Sequence, residues 1–435
     1  MCEREETQRR NFPSRLIHLA RTALVVAAVA SLAAASSQAQ STAHRRADLS
    51  RLVVVGDSIS AGFQNDSLLD SQQPHGWASV VASQANVPLA LPLIAPPGIP
   101  NVLELVSPGP PPIITVAPGT SIGRDDPTVQ AFDLAVPGAT LQDALTTAPS
   151  FPIDDLTDLV LGLPGLLGGV SLSQTGWAQA LQPTTILVWI GNNDILGAAA
   201  VADPGLATPV ATFQTEYQTL MESLAETGAT LVVSNIPDVT VIPFFTPTKV
   251  IEAETGLPLS VLGPILGIGQ GDFVLPEGVA LIPGILANPS TGPIPKSFIL
   301  TAAQAQQVRD IVNAYNGVIQ EEAAAVAATV VDVHGETLKL RARGLQANGE
   351  TLTNGFLGGI FSLDGVHPTN TGYAAIANTF IRKLNNDLGT TIPPISIDEV
   401  AKNDPLVPGN FGADVRTHVD PATARSIKKL FLHSN

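Results

Sequence analysis

The chain has 435 residues, of which 45% are hydrophobic and 14% charged, and a formal net charge of −16 at pH 7. This length allows two or three domains, and the apolar content is sufficient for a large buried core. So acidic a chain is disfavoured as a nucleic-acid binder and as a protein that docks electrostatically on anionic membranes.

The first 39 residues are typical of an export signal. Basic residues, including Arg9 and Arg10, precede an apolar run over residues 22–35, and residues 37–39 (Ser-Gln-Ala) suit a cleavage site. A membrane anchor is the alternative, but it needs about 20 apolar residues, more than this run contains. The Arg-Arg-Asn-Phe sequence at residues 9–12 also resembles a twin-arginine signal, so the export route stays open. We expect a secreted or periplasmic protein that has no stable membrane anchor once residues 1–39 are removed.

The segment to be removed contains the only cysteine, Cys2. Its removal also takes away five basic and three acidic residues, which leaves 17 basic and 35 acidic residues in the mature chain. The mature chain would have no disulfide and no thiol nucleophile. No cluster of cysteines or histidines has the spacing of a metal site, so we predict neither a metal nor a cofactor.

Five short apolar segments have the composition of buried strands. They cover residues 52–55, 132–136, 185–190, 230–235 and 328–333. Helical spacing follows at residues 76–82, at 213–226, in a helix opened by a capping box at 301–304, and at 373–384. Strands that alternate with helices predict an α/β fold with a mostly parallel sheet covered on both faces.

These elements span residues 50–388 without a Ser/Gly-rich linker, so we expect one domain. Two long segments interrupt it, a proline-rich one at about 87–127 and an apolar one at about 240–295. The second is too apolar for disorder. It either forms a lid or wall over a site, which would favour acyl chains, or packs its own core as an accessory subdomain. Residues 389–435 are a polar tail that is either strapped down or disordered.

Four short sequence motifs stand out, three of which follow predicted strands while the fourth precedes the last helix. Ser58 lies in Gly-Asp-Ser after the first strand, Gly138 follows the second, and Asn193 lies in Gly-Asn-Asn-Asp after the third. Asp364 and His367 belong to Asp-Gly-Val-His-Pro before the final helix. A serine hydroxyl needs a base to become a nucleophile, and a histidine oriented by a carboxylate commonly supplies it. Because Asp364 and His367 are three residues apart, their side chains can meet on one tight turn.

The four blocks, in this order, resemble those of the GDSL (SGNH) hydrolases. The resemblance implies a three-layer flavodoxin-like fold with a mostly parallel five-stranded sheet, and hydrolysis of carboxylic esters. It implies that Ser58 is the nucleophile, His367 the base and Asp364 the residue that orients the base. It also implies an oxyanion hole formed by the backbone N–H groups of Ser58 and Gly138 and by the Asn193 amide.

One competing base and several functions stay open. His334 follows the fifth strand two residues after Asp332, and side chains at that spacing share one face of a strand, so these two residues are an alternative pair. Among substrates we favour lipid or aliphatic acyl esters. The alternatives are a carbohydrate acetylesterase on the same fold and a non-enzymatic exported binding protein on a hydrolase scaffold. The oligomeric state is not predicted.

Overall fold

The structure is a computed structural model that describes residues 46–109, 112–411, 422, 425 and 428–430. The export signal predicted for residues 1–39 lies outside these residues. The strands, in chain order, are β1 Leu52–Gly56, β2 Leu103–Ser107, β3 Ile113–Val116, β4 Thr185–Trp189, β5 Thr230–Ser234, β6 Thr246–Pro247, β7 Phe273–Val274, β8 Ile299–Leu300, β9 Thr329–Val331, β10 Leu345–Ala347 and β11 Glu350–Leu352.

The α-helices surround the main sheet and also occur in the 240–295 insertion and in the C-terminal region. They are Trp77–Gln84, Leu141–Thr146, Leu156–Leu161, Gln174–Ala180, Asn193–Ala200, Val210–Ala225, Thr248–Thr255, Leu259–Leu266, Pro276–Val279, Ile282–Ala287, Ala302–Ala325, Val333–Arg343, Asn370–Leu388, Ile397–Asn403 and Pro408–Phe411. The predicted capping box is present, because Thr301 and Gln304 bond each other's backbone at the start of the Ala302–Ala325 helix.

The central sheet is parallel and has the order β1-β4-β5-β9. Residues 132–136, predicted as a full strand, run beside the free edge of β1 but form only one β-bridge, between Asp133 and Val54. Backbone hydrogen bonds continue on both sides of the bridge, to Val54 and Gly56. Regular pairing stops because the Gly56 N–H, which would continue it, donates to the Gln174 side-chain oxygen at 2.9 Å instead.

With this edge segment the spatial order of the five predicted strands is 2-1-3-4-5, the order of flavodoxin-like sheets. The order reverses between β1 and β4, and ligands of such sheets bind at that switch point, beyond the carboxyl ends of the strands. Ser58 follows β1 and Asn193 follows β4, so both lie at the switch point.

Side chains alternate between the two faces of the sheet and form two separate cores. In β1, Val53 and Val55 join one core and Leu52 and Val54 join the other. Helices Trp77–Gln84 and Asn370–Leu388 cover the second core. The first core is covered by the helices over residues 141–225 and by Ala302–Ala325. The fold therefore has the three layers that the sequence predicts.

The 240–295 insertion has a small core of its own. Strands β6, β7 and β8 form an antiparallel sheet, and a separate cluster of buried aliphatic residues, including Leu262, Leu266 and Ile285, packs beside it. Phe244 and Phe245 are buried in the main core instead. This arrangement favours the accessory-subdomain alternative over a lid.

The described C-terminal residues are packed rather than free. The Asp404 carboxylate accepts hydrogen bonds from the backbone and hydroxyl of Thr371 at 2.8 and 2.7 Å, which ties residues 389–411 to the start of the last long helix. Ala401, Leu406 and Val407 are buried. Within the described residues, no helix combines the length and the apolar character needed to cross a membrane.

Candidate active site

The loop after β1 is fixed by Asp57. Its carboxylate accepts from the Ile59 N–H at 3.1 Å and from the Asn192 amide at 2.8 Å, and its backbone carbonyl accepts from Ala61. The loop after β4 is thereby tied to the loop after β1. Burial raises the pKa of Asp57 to about 6, although the hydrogen bonds from Asn192 and Ile59 oppose this shift.

Ser58, His367 and Asp364 form one hydrogen-bonded chain. The Ser58 Oγ lies 2.8 Å from the His367 Nε2, and the His367 Nδ1 lies 3.1 Å from the Asp364 Oδ2. Ser58 follows β1, whereas the other two residues share a tight turn before the Asn370–Leu388 helix. This is the arrangement in which a carboxylate orients an imidazole that can take the hydroxyl proton.

All hydrogen-bond partners of the Asp364 carboxylate are N–H groups. Its Oδ1 accepts from the backbone of Val366 and His367, both at 2.8 Å, and its Oδ2 accepts from the backbone of Asp66 at 2.9 Å as well as from the imidazole. Burial alone would raise the pKa of Asp364. The imidazole of His367 and the hydrogen bonds outweigh burial, so the pKa lies below its usual value.

The imidazole of His367 is held in place by its surroundings as well as by its hydrogen bonds. The ring of Phe63 lies 4.8 Å from it, centroid to centroid, at an interplanar angle of 55°. The hydroxyl of Tyr373 donates to the Phe63 carbonyl at 2.6 Å, and the Phe63 N–H donates to the Ser58 carbonyl. Phe63 therefore connects the loop of the nucleophile to the last long helix.

Gly138 and Asn193, the two predicted oxyanion residues other than Ser58, lie close to each other. Gly138 has a φ of +85°, a conformation that suits glycine. The Asn193 amide donates one N–H to the carbonyl of Ala139, the residue after Gly138, at 2.8 Å. The NH₂ group has a second N–H that this bond does not use. The carboxylate of Asp194 accepts from the Leu141 N–H at 2.9 Å and thus holds the Gly138 turn against the loop after β4.

The alternative pair is not assembled. The Nδ1 of His334 lies 2.9 Å from the Ile236 carbonyl, and its backbone N–H donates to Asn235. The Asp332 carboxylate instead caps the Val333–Arg343 helix through Gly335 and accepts from the Asn235 amide. The spacing argument fails because the strand ends at Val331, so Asp332 and His334 lie at the start of a helix rather than on one strand face.

A cavity of about 440 Å³ opens at Gly138. Phe63, Ile99, Val136 and Leu161 supply much of its apolar lining, and Asp143, Asp154 and Asp155 lie on its acidic side. Among the described residues, none from the 240–295 insertion lines this cavity. The insertion therefore does not form a wall of this cavity, which favours the accessory-subdomain alternative.

One group of carboxylates in the described part of the chain is close enough to hold an ion. Asp154, Asp155 and Asp158 place ligand atoms within 4.8 Å of one another. The Asp158 carboxylate is already used, because it accepts from the backbone of Ser150 and from two backbone N–H groups at the start of the Leu156–Leu161 helix. These contacts explain the cluster as a helix cap.

The family comparison adds to this geometry. The sequence matches the family described as GDSL-like Lipase/Acylhydrolase over residues 52–380, most of the chain. The chain belongs to this family. It is accordingly a carboxylic ester hydrolase of the GDSL type, and the family region includes all four blocks recognised in the sequence.

The solved structures similar to this GDSL-type hydrolase are distant. They include the acetylxylan esterase Axe2 from Geobacillus stearothermophilus, with 13% identity, a TM-score of 0.36 and coverage of 79% of this chain and 98% of that one. The esterase EstA from Pseudoalteromonas sp. has 12% identity and a TM-score of 0.34, with coverage of 78% and 100%. Scores this low carry no argument about substrate. A search of curated protein sequences gave no match.

Sequence reasoning missed several residues that shape this site. The Asp66 N–H on Asp364 and the Phe63 ring against His367 come from the loop after β1. Leu430, close to the C-terminus, lines the cavity at Gly138. No motif marks these positions, since a backbone donor and an apolar contact place few demands on residue type.

Proposed function

We propose that this GDSL-type hydrolase cleaves esters through an acyl-enzyme on Ser58. The hydrogen-bonded chain from Ser58 through His367 to Asp364 is the observation that supports it. The Ser58 Oγ attacks the ester carbonyl carbon while the His367 Nε2 takes the hydroxyl proton. The imidazolium then gives that proton to the alcohol as the C–O bond breaks. Water, deprotonated by the same nitrogen, attacks the acyl-enzyme and releases the acid.

The negative charge that develops on the carbonyl oxygen needs donors. We assign this role to the backbone N–H groups of Ser58 and Gly138 and to the second N–H of the Asn193 amide. The hydrogen bond from Asn193 to Ala139 supports the assignment, because it fixes the amide before substrate binds. Loss of one such preorganised donor typically raises the barrier by about 3–4 kcal/mol.

The preferred substrate in this proposal is a lipid or aliphatic acyl ester. The support is the apolar lining of the 440 Å³ cavity at Gly138, where Phe63, Ile99 and Val136 would contact an acyl chain. Each methylene that is buried there contributes about 0.8 kcal/mol to binding. The acidic residues on the other side, Asp143 and Asp155, would disfavour anionic alcohol groups.

A carbohydrate acetylester is the second candidate. The acidic side of the same cavity favours it, because the carboxylates of Asp143, Asp154 and Asp155 are acceptors for sugar hydroxyl groups. In this alternative the apolar part would hold only an acetyl group, and activity would end at short acyl chains.

The site of action is the third part of the proposal. The signal-like pattern of residues 1–39 supports export and cleavage before the enzyme acts. Mass determination of the protein from the medium or periplasm of an expressing bacterium tests this. A mature N-terminus near residue 40 is expected, and an intact cytoplasmic protein would contradict it.

One substrate series separates the two candidates. kcat/KM is measured for p-nitrophenyl esters from acetate to palmitate and for an acetylated xylo-oligosaccharide, with Ser58→Ala as the blank. An aliphatic esterase should gain kcat/KM beyond acetate and should leave the oligosaccharide largely intact. A maximum at acetate, together with rapid deacetylation of the sugar, would favour the second candidate.

A further inference from the structure

Residues 428–430 lie against the oxyanion side of the proposed active site. Lys429 and Leu430 line the cavity together with Gly138 and Phe63. A Cβ atom at Gly138 would lie 2.5 Å from the Leu430 carbonyl oxygen and 3.3 Å from its Cδ1. Leu430 also packs against the main core. The chain thus returns, more than 290 residues after Gly138, to the turn that we assign to the oxyanion hole.

A partly desolvated ion pair holds this segment. The Lys428 Nζ lies 2.8 Å from the Glu277 Oε1, and the two side chains are only 14% and 11% exposed. The same ammonium lies 6.0 and 5.9 Å from the ring centroids of Phe244 and Phe298. Removing one partner of an ion pair with so little solvent around it is costly, because the remaining charge keeps its desolvation penalty.

The partners of Lys428 connect it to the catalytic turn. Glu277 and Phe244 both lie in the 240–295 insertion. The backbone N–H of Phe244 donates to the Gly365 carbonyl at 3.0 Å. Gly365 lies between Asp364 and His367 in sequence. The insertion does not line the cavity, yet it supplies the residues that hold a cavity-lining segment in place.

The side chains of the proposed nucleophile and base have little exposed surface. Ser58 is 3% exposed and His367 is fully buried. An ester must bring its carbonyl group to the Ser58 Oγ and to the N–H of Gly138, the turn against which Leu430 rests. Leu430 therefore narrows the part of the cavity next to Gly138, where a bulky acyl chain would enter.

We propose that residues 428–430 form an autoinhibitory strap that narrows the acyl side of the active site, latched by the Lys428–Glu277 ion pair. The proposal rests on the proposed function of Ser58 and Gly138. Opening the latch exposes the cavity to long acyl chains, and closing it restricts turnover to the fraction of molecules whose strap is displaced.

Charge reversal tests the latch. Lys428→Glu and Glu277→Lys each place like charges together, whereas the double variant K428E/E277K restores an opposite pair. Lys249→Glu, at an exposed lysine of the same insertion, is the matched control for the change in net charge. The measured quantities are the rate at which a long-chain alkyl fluorophosphonate labels Ser58 and kcat/KM for p-nitrophenyl octanoate.

Each single variant should label about tenfold faster or more, as expected when a closed state that dominates by that ratio is opened. The double variant should return towards the wild-type rate, and Lys249→Glu should keep it. Single variants that label at or below the wild-type rate, or a double variant that does not revert, would overturn the strap. In the first case Leu430 would be a permanent wall of the acyl pocket instead.

A second variant guards against misfolding of the charge-reversed proteins. A chain that ends at residue 411 and carries Glu277→Gln lacks the strap and leaves no unpaired carboxylate at residue 277. Its Ser58 should also label faster than in the full chain, provided that its thermal unfolding is cooperative. If Ser58 is labelled equally fast in all forms, only the strap is wrong. If no form labels Ser58 and Ser58→Ala keeps full turnover, the proposed function itself fails.

Discussion

Asp364→Asn is the most informative single change at the proposed catalytic centre. The carboxylate of Asp364 accepts four hydrogen bonds, two on each oxygen, and every partner is an N–H group. Asparagine has one acceptor oxygen and one NH₂ group that can only donate. In either orientation of the amide, two of the four N–H groups therefore face another donor.

The two orientations fail in different ways. If the NH₂ group faces His367, the Nδ1 must become the acceptor and the proton moves to the Nε2, which can then no longer accept from Ser58. If the oxygen faces His367, the NH₂ group faces the backbone N–H groups of Val366 and His367. Hydrogen bonds to a charged group contribute about 1.5–3 kcal/mol each, so two lost bonds amount to about 3–6 kcal/mol in the stability of this turn.

We expect Asp364→Asn to lower kcat by about 10³–10⁴, as replacement of a triad carboxylate does in serine proteases. The control is Asp404→Asn, at a buried carboxylate that accepts three hydrogen bonds, from Thr371 and Leu406 rather than from His367. It should lose stability in urea unfolding and keep its kcat. If Asp364→Asn keeps kcat within about tenfold of wild type while both variants remain folded, Asp364 does not orient the base.

Three further predictions concern the oxyanion donor, the base and a buried acid. Asn193→Ala should lower kcat by about 10²–10³ in steady-state assays, and a change in KM alone would show uniform binding instead. His367→Ala should cost about 10⁴-fold or more, whereas His334→Ala should cost less than about 30-fold; the reverse ranking would move the base to His334. Burial raises the pKa of Asp133 to about 8. The folded state then keeps a proton that the unfolded chain loses near pH 4. The free energy of unfolding therefore falls as the pH rises from about 4 to 8, by up to about 1.4 kcal/mol per pH unit. Asp133→Asn should flatten this dependence in urea unfolding, and an unchanged slope would contradict the assignment.

Much of the fold follows from local sequence patterns. The unbroken apolar runs of β1, β4 and β5 mark strands buried on both faces, and the capping box at Thr301 marks the start of a long helix. The family resemblance adds the three-layer arrangement, which the structure has. The edge segment at 132–136 is the exception, because the Gly56 N–H that would extend its pairing with β1 donates to the distant Gln174 side chain.

The site was predictable where it depends on motifs and not where it depends on tertiary contacts. The block around Ser58 and the block around His367 are more than 300 residues apart, and the resemblance to a family was needed to pair them. The alternative at His334 could be rejected only from the structure, since the end of β9 places Asp332 and His334 at the start of a helix. The proposed strap has no local sequence signal. It depends on the ion pair between Lys428 and Glu277, which are 151 residues apart.

The central claim is that Ser58 carries the acyl group during ester hydrolysis. The most direct measurement is mass spectrometry of the enzyme quenched during turnover of a slow ester, followed by peptide mapping of the added mass. We expect one acyl adduct, on the peptide that contains Ser58, and no adduct in Ser58→Ala. An adduct on another serine, or full turnover by Ser58→Ala without any adduct, would contradict it.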